Sequence, residues 1–295
     1  MAKYILSCCS TADLSEAHYA GRDINYICFS YTLDGKQYPD DMGKSIPFVT
    51  FYEAMANGTE TSTSQVNVDA YIENFTPFLE DGLDILHISF SSGLSGSYNS
   101  AMIARGDLLD KYPERKIFIV DSLAASSGYG LFMDTLADMR DAGMGIDRLY
   151  AWANDHRLEL HHWFFTTDLT FFIKGGRVSK TAGWFGTMLN ICPLLNVDNA
   201  GHLIPRNKAR GKKKVIEESV KKMEKHARDG LEYDGKCFIS HANCYEDARA
   251  VADLVEAKFP KLNGRVAIYS IGTTIGSHTG PGTVALFFWG DKRVD

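Results

Sequence analysis

Residues 89 to 98 read Ser89-Phe90-Ser91-Ser92-Gly93-Leu94-Ser95-Gly96-Ser97-Tyr98, after the apolar run 83–88 and before Asn99-Ser100-Ala101-Met102. The run reads as a buried strand and the following residues as the opening of a helix. Small hydroxyl residues and glycines at such a junction leave backbone N–H groups unpaired beside a helix N-terminus, which suits an anionic or polar ligand group. The same residues also suit a plain strand-to-helix turn with a serine N-cap. Other stretches carry similar potential. Thr61-Ser62-Thr63-Ser64-Gln65 offers hydroxyls to a ligand or an N-cap to the next helix. Arg177, after two glycines, can grip an anion bidentately or sit solvated on a hairpin. His278 lies in a loop with glycines at 272, 276, 280 and 282, where an imidazole can donate to a carboxylate or shuttle a proton. Residues 206–214 hold six cations in nine residues, a solvated face or a docking site for an acidic partner.

Several chemistries lack their motifs. No Walker A loop is present, and no GxGxxG follows the first strand, so nucleotide binding has no support. No GxSxG elbow occurs, and Ser95 has only the distant His278 as a base. His156, His161 and His162 lack HExxH spacing, and adjacent strand residues 161 and 162 should face opposite sides. The six cysteines show no CxxC pairing, so they read as reduced thiols and no metal site is expected.

The elements that must position these residues alternate. Strands are expected at 4–9, 24–29, 84–89 and 116–120, with helices at 48–55, from 67 and from 124 to 142. The helix from 67 sets Val68, Tyr71, Ile72, Phe75 and Leu79 on one face. Alternating strands and helices predict a parallel sheet flanked by helices, with ligands beyond the carboxyl ends of the strands. The loops at Ser10-Thr11, 91–97 and Asp121-Ser122 then share one edge. Residues 35–42 read as an irregular loop. After about 158 the texture becomes aromatic. Residues 188–197 read as an edge strand because of Pro193, 237–241 and 265–271 as strands around a helix 246–259, and 283–289 as a last strand. A helix after 214 should carry Glu217-Glu218 near its start, as the dipole prefers. The expected fold is α/β: an N-terminal domain, 1–158, with a parallel sheet, and a C-terminal α/β domain, 159–295, with a mixed or antiparallel sheet.

Composition narrows the class. The 295 residues are 45% hydrophobic with a formal charge of −6, which suits a globular protein and argues against a nucleic-acid partner. The first apolar run is too short for a signal peptide, and no run approaches the ~18 apolar residues of a membrane span. A cytoplasmic location is expected.

Taken together, these segments resemble the DegV family of bacterial lipid-binding proteins. The matching segments are Ser10-Thr11-Ala12-Asp13-Leu14, Thr63-Ser64-Gln65, residues 91–98, Asp121-Ser122-Leu123-Ala124, Lys174-Gly175-Gly176-Arg177-Val178-Ser179, Arg210-Gly211-Lys212-Lys213 and residues 276–282, in the family's order. Two departures stand out: Cys9-Ser10-Thr11 where the family has Asp-Ser-Thr, and Ser64-Gln65-Val66 where it has Ser-Gln-Pro. The resemblance implies one long-chain fatty acid enclosed between two domains, no cofactor and no turnover by the chain alone. It implies a separate ATP-binding fatty acid kinase subunit that phosphorylates the carboxylate for phospholipid synthesis, and at most transient membrane contact. By motif, Thr63, Ser95, Ser92, His278 and Arg177 would hold the carboxylate, and Arg210 would meet the kinase subunit. The alternatives are a stand-alone lipid carrier or sensor and a Ser95/His278 hydrolase acting on acyl esters.

Overall fold

The computed structural model describes residues 4–178 and 190–293. Its strands are β1 (Tyr4–Cys9), β2 (Ile24–Ile27), β3 (Ser30–Leu33), β4 (Lys36–Pro39), β5 (Thr61–Ser64), β6 (Asp84–Ser89), β7 (Ile117–Asp121), β8 (Leu160–Phe165), β9 (Ile191–Val197), β10 (Leu203–Arg210), β11 (Phe238–His241), β12 (Ala267–Ser270) and β13 (Val284–Trp289). The helices are α1 (Glu16–Gly21), α2 (Phe48–Ala56), α3 (Val68–Glu80), α4 (Ser97–Lys111), α5 (Ser126–Asp141), α6 (Ile146–His156), α7 (Thr170–Lys174), α8 (Lys212–His226), α9 (Tyr245–Lys258) and α10 (Thr273–Thr279).

Strands β2-β1-β6-β7 form a wholly parallel sheet, as the apolar runs separated by helices require. Strands β10-β9-β8-β13-β11-β12 form a mixed sheet, antiparallel except where β11 meets β12. The α/β class and both sheet types thus agree with the sequence. A third, antiparallel sheet, β4-β3-β5, was not expected. It replaces the irregular loop at 35–42 and turns 61–64 into a strand. Its outer strand is mostly exposed and polar, so it shows no apolar alternation. Tyr31, Phe51, Tyr52, Met55, Ala242 and Ile271 pack beneath it as a small second core.

Helix α5 holds the molecule together. Ser126 to Asp134 are buried without a break, so the helix has no solvent face over those turns and touches β1 on one side and β8, β11 and β13 on the other. Tyr129 ties it to the parallel sheet: its hydroxyl accepts the Cys9 N–H at 2.9 Å and donates to the Ile88 carbonyl. Gly106 in α4 is the opposite case, an exposed helical glycine with open space where a Cβ would stand. Gly106→Ala should therefore raise stability by roughly 0.8–1 kcal/mol, read as a shift in the urea midpoint.

Three expectations need correction. Strand β9 is interior, between β10 and β8, and its bonds to β8 run only from Leu194 to Asn196. Pro193 lies beyond that stretch and pairs with Lys208 alone, so its missing N–H costs no bond to β8. The expected first residues of that strand, 188 and 189, and Ser179 lie outside the described residues. Helix α8 begins at Lys212, so its first turn is basic and Glu217-Glu218 fall in the second; only its last turn, with Lys225 and His226, suits the dipole. His278 sits on helix α10 and not in a loop.

Burial also shapes the response to acid. His87 is enclosed between Tyr71 and Phe75, with Nδ1 at 3.0 Å from Ser7 Oγ, and burial pulls its pKa down to about 3. The folded chain therefore binds fewer protons than the unfolded chain between about pH 3 and 6.5, and this group's contribution is lost as the pH falls through that window. Thermal melts of His87→Leu should fall less steeply with acidification than those of the unaltered chain. Identical slopes would contradict this.

Candidate functional site

Between the loops of the parallel sheet and one face of the mixed sheet lies a cavity of about 290 Å³. Its apolar wall comes from Phe29, Phe90, Phe164, Phe172, Val197, Leu203, Ile271, Ile275, Ala285 and Phe287. The side chains from the mixed sheet arrive at alternate positions, His162 and Phe164 on β8, Ala285 and Phe287 on β13, as residues sharing one face must. Thr63, Gln65, Ser95, Arg177 and His278 also line it and bring polar groups together.

These polar residues form a directed chain. Arg177 donates through Nη1 to the Gly175 carbonyl at 2.6 Å and through Nη2 to the Leu94 carbonyl at 3.1 Å. Nη1 also stands 3.4 Å from His278 Nδ1. A guanidinium cannot accept, so Nδ1 carries the lone pair and the proton sits on Nε2. Nε2 lies 2.7 Å from Thr63 Oγ1, which therefore accepts and keeps its own proton for a ligand. Burial, and then the Arg177 charge, push the His278 pKa down to about 4, so the imidazole is neutral at pH 7. Ser95 Oγ accepts the Ser97 N–H at 3.2 Å, and among the described residues nothing takes its hydroxyl proton. Two hydroxyl donors and a guanidinium on one cavity wall are the donor set that a carboxylate needs.

Backbone placement makes this possible. Thr61 and Thr63 alternate inward on β5, leaving Ser62 and Ser64 exposed. A Cβ on Gly175 would stand 2.5 Å from His278 Nδ1, so only glycine leaves that ring its seat. Leu123 and Ser126 both adopt left-handed φ, 50° and 53°, where the turn into α5 delivers Ala125 and Ser126 to the cavity wall.

Helix α10 is held at its other end by two buried carboxylates. Asp13 accepts the Gly272 N–H at 3.0 Å and the Ser126 hydroxyl; Asp40 accepts the Thr273 N–H at 3.1 Å, the Thr273 hydroxyl at 2.8 Å and the Ser10 hydroxyl at 3.1 Å. Burial raises both pKa values, and the charge of Asp40 adds to the rise at Asp13. The Ser10–Asp13 turn thus positions the helix that carries His278, and it does not line the cavity.

The structure brings together four of the five expected carboxylate residues: Thr63, Ser95, Arg177 and His278. Ser92 is a correction: it is exposed, outside the cavity wall, and its hydroxyl donates to Asp121 Oδ2 at 2.5 Å. Arg210 is exposed at the end of β10 with no ion pair among the described residues, and Lys213 beside it is likewise exposed. The hydrolase alternative lacks its base, because both His278 nitrogens face Thr63 and Arg177 and no hydrogen bond joins it to Ser95. Gln65 was missed as a lining residue; it donates to Ser100 Oγ at 3.2 Å. Also unforeseen is a cluster of His161, His226 and Asp291, which come from three distant segments.

The DegV family model matches residues 9–291. A DegV domain-containing protein of Clostridium perfringens is 39% identical over 293 residues, 99% of each chain. A Thermotoga maritima protein, whose structure is described as revealing fatty acid binding function, superposes with a TM-score of 0.83 at 25% identity, over 98% of this chain and 100% of that one. The Streptococcus pneumoniae fatty acid kinase B3 protein, loaded with linoleic acid, shares the fold with a TM-score of 0.84 at 20% identity, over 99% and 100%. No helix among the described residues is long and apolar enough to cross a membrane.

Proposed function

The chain belongs to the DegV family, and we propose that it encloses one long-chain fatty acid between its two lobes, 1–158 and 159–295. The observation that carries this reading is the cavity's division into an aromatic wall and a polar group holding two free hydroxyl protons and one guanidinium. The tail provides the affinity. At about 0.8 kcal/mol per buried methylene, a ~16-carbon chain gains on the order of 10 kcal/mol before ordering costs. The carboxylate then needs donors, because an unpaired buried charge is prohibitive. Thr63 and Ser95 donate hydroxyl protons, Arg177 supplies the charge, and neutral His278 orients Thr63.

The bound carboxylate is presented to a separate ATP-binding kinase subunit. One carboxylate oxygen attacks the γ-phosphorus of ATP, the bond to the bridging oxygen breaks, and ADP leaves with that oxygen, giving an acyl phosphate. Nucleotide and Mg²⁺ belong to the partner, so this chain contributes positioning. Arg210 and Lys213 form the docking surface.

One observation favours the second reading, a stand-alone carrier or sensor. Arg210 stands at the opposite end of β10 from Leu203, which lines the cavity, roughly 20 Å away along an extended strand. A single experiment separates the two. Lipid-loaded protein mixed with an ATP-binding fatty acid kinase subunit and Mg-ATP should yield acyl phosphate. Arg210→Glu should cut the rate at least tenfold while leaving bound lipid unchanged. Absence of acyl phosphate from every kinase subunit tried would favour the carrier.

A further inference from the structure

We propose that His161, His226 and Asp291 bind one zinc ion, on the face of the mixed sheet turned away from the lipid cavity. His161 and His162 are successive residues of β8; His162 lines the cavity, so His161 points to the other side. His226 ends helix α8, and Asp291 follows strand β13 by two residues. The three are 65 residues apart at each step, beyond the reach of a local motif.

Backbone contacts fix the group in place. Asp291 donates its N–H to the His226 carbonyl at 3.0 Å, and Arg228 donates its own to the Trp289 carbonyl at 3.2 Å. A Cβ on Gly290 would stand 2.0 Å from the His226 carbonyl oxygen, so only glycine lets the strand end approach the helix end this closely.

The ligand atoms have the spacing of a metal site. His161 Nε2 lies 2.9 Å from Asp291 Oδ1 and 2.9 Å from the Asp291 carbonyl oxygen, and His226 Nδ1 lies 3.2 Å and 3.3 Å from the two carboxylate oxygens. One ligand atom from each residue fits within 4.8 Å of the others. A tetrahedral zinc with bonds of ~2.0–2.2 Å holds its ligand atoms roughly 3.3 Å apart, and the centroids of two bound imidazoles about 5 Å apart. The centroids of His161 and His226 are 5.1 Å apart.

The chemistry selects the ion. One proton on His161 Nε2 faces two acceptors on Asp291 and can serve only one well; a dication in its place serves the carboxylate and both imidazoles. Two imidazole nitrogens with one carboxylate suit zinc, whereas Mg²⁺ and Ca²⁺ take oxygen ligands. The Asp291 side chain is 59% exposed, which leaves an entry path and room for water as the fourth ligand. The cation Arg293 donates to the carbonyls of Leu123 and Val197, and its charge still reaches His161, where the Asp291 carboxylate opposes it. A bound ion would join β8, α8 and the end of β13.

The test uses the full chain stripped with EDTA. Calorimetric titration with ZnCl₂ should show one site per chain, MgCl₂ should show none, and zinc should raise the melting temperature. Co²⁺ in place of zinc should give the visible absorption of a tetrahedral nitrogen–oxygen site. His226→Ala and Asp291→Asn avoid the buried His161, and each should weaken zinc binding by more than the roughly 10- to 100-fold that losing a supporting hydrogen bond costs. His202→Ala, an exposed control, should leave zinc binding unchanged. Absence of one-site binding, or binding that survives intact in either His226→Ala or Asp291→Asn, would overturn the proposal; in the latter case the zinc sits elsewhere, on thiols such as Cys28 or Cys244.

Discussion

Arg177→Met is expected to weaken binding of a free long-chain fatty acid by roughly a hundredfold, about 3 kcal/mol, while barely changing the affinity for the fatty alcohol of the same length. Among the described residues lining the cavity, Arg177 is the one bearing a permanent positive charge. Its side chain is held by the Gly175 and Leu94 carbonyls, so it is preorganised beside Thr63 and Ser95. Methionine keeps much of the volume and loses the charge, so the carboxylate would be buried with hydroxyl donors alone. The alcohol carries no charge and tests packing by itself. Measurement belongs at pH 8. Losing the Arg177 charge lets the His278 pKa climb back towards its ordinary value, and a protonated imidazole at lower pH would partly replace the lost cation. Equal losses for acid and alcohol would mean that Arg177 only packs. No loss for the acid would mean that the carboxylate lies elsewhere.

Gly130→Val is the second large effect, this time on stability. A Cβ at Gly130 would stand 2.5 Å from the Ala12 carbonyl oxygen and 2.7 Å from Leu14 Cδ2. The nearer contact is backbone, in the turn that also holds helix α10, so it cannot swing aside. Gly128, half a turn away, would bring a Cβ to 2.5 Å from both His162 Nε2 and Phe287 Cδ1 on the mixed sheet. Helix α5 therefore presents glycine to each neighbour it approaches most closely. The helix-propensity gain on replacing glycine is below ~1 kcal/mol, whereas forcing atoms into a filled site costs about 1–3 kcal/mol or more. Gly130→Val should lose about 3 kcal/mol in urea unfolding, and Gly106→Ala should move the midpoint the other way. Unchanged stability in Gly130→Val would contradict the placement of α5 between the sheets.

What the sequence revealed depended on how local the signal was. Strands β1, β6 and β7 are buried on both faces, so their apolar runs stand out, and Asn67 marks the start of α3 by accepting the Ala70 N–H. The β3-β4-β5 sheet was hidden because its strands are short and half exposed, with hydroxyls where alternating apolar residues would show. Helix α10, Thr-Thr-Ile-Gly-Ser-His-Thr, is a poor helix former by propensity. Asp13 and Asp40, 259 and 233 residues away, accept its first N–H groups, and no local pattern reveals that. For the same reason the hydroxyls of Ser10 and Thr11 looked like ligand donors when that turn serves α10.

The candidate site was legible as a set of residues and not as a geometry. Thr63 and His278 are 215 residues apart yet share a 2.7 Å hydrogen bond. Their order along the chain named them, and only the fold shows which way the protons run. Ser92 was misplaced because a serine in a Gly/Ser loop can turn either way, and Asp121 draws it outward. The aromatic wall was unassigned because Phe164, Phe172 and Phe287 look like any core residues until the cavity between the sheets is visible.

Native mass spectrometry of the gently purified chain, with no lipid added, tests the central claim most directly. The expected spectrum shows folded protein carrying one long-chain fatty acid per chain, released on denaturation and identified by its mass, with Arg177→Met largely empty. Folded protein that carries no fatty acid, and takes none up when one is supplied, would contradict it.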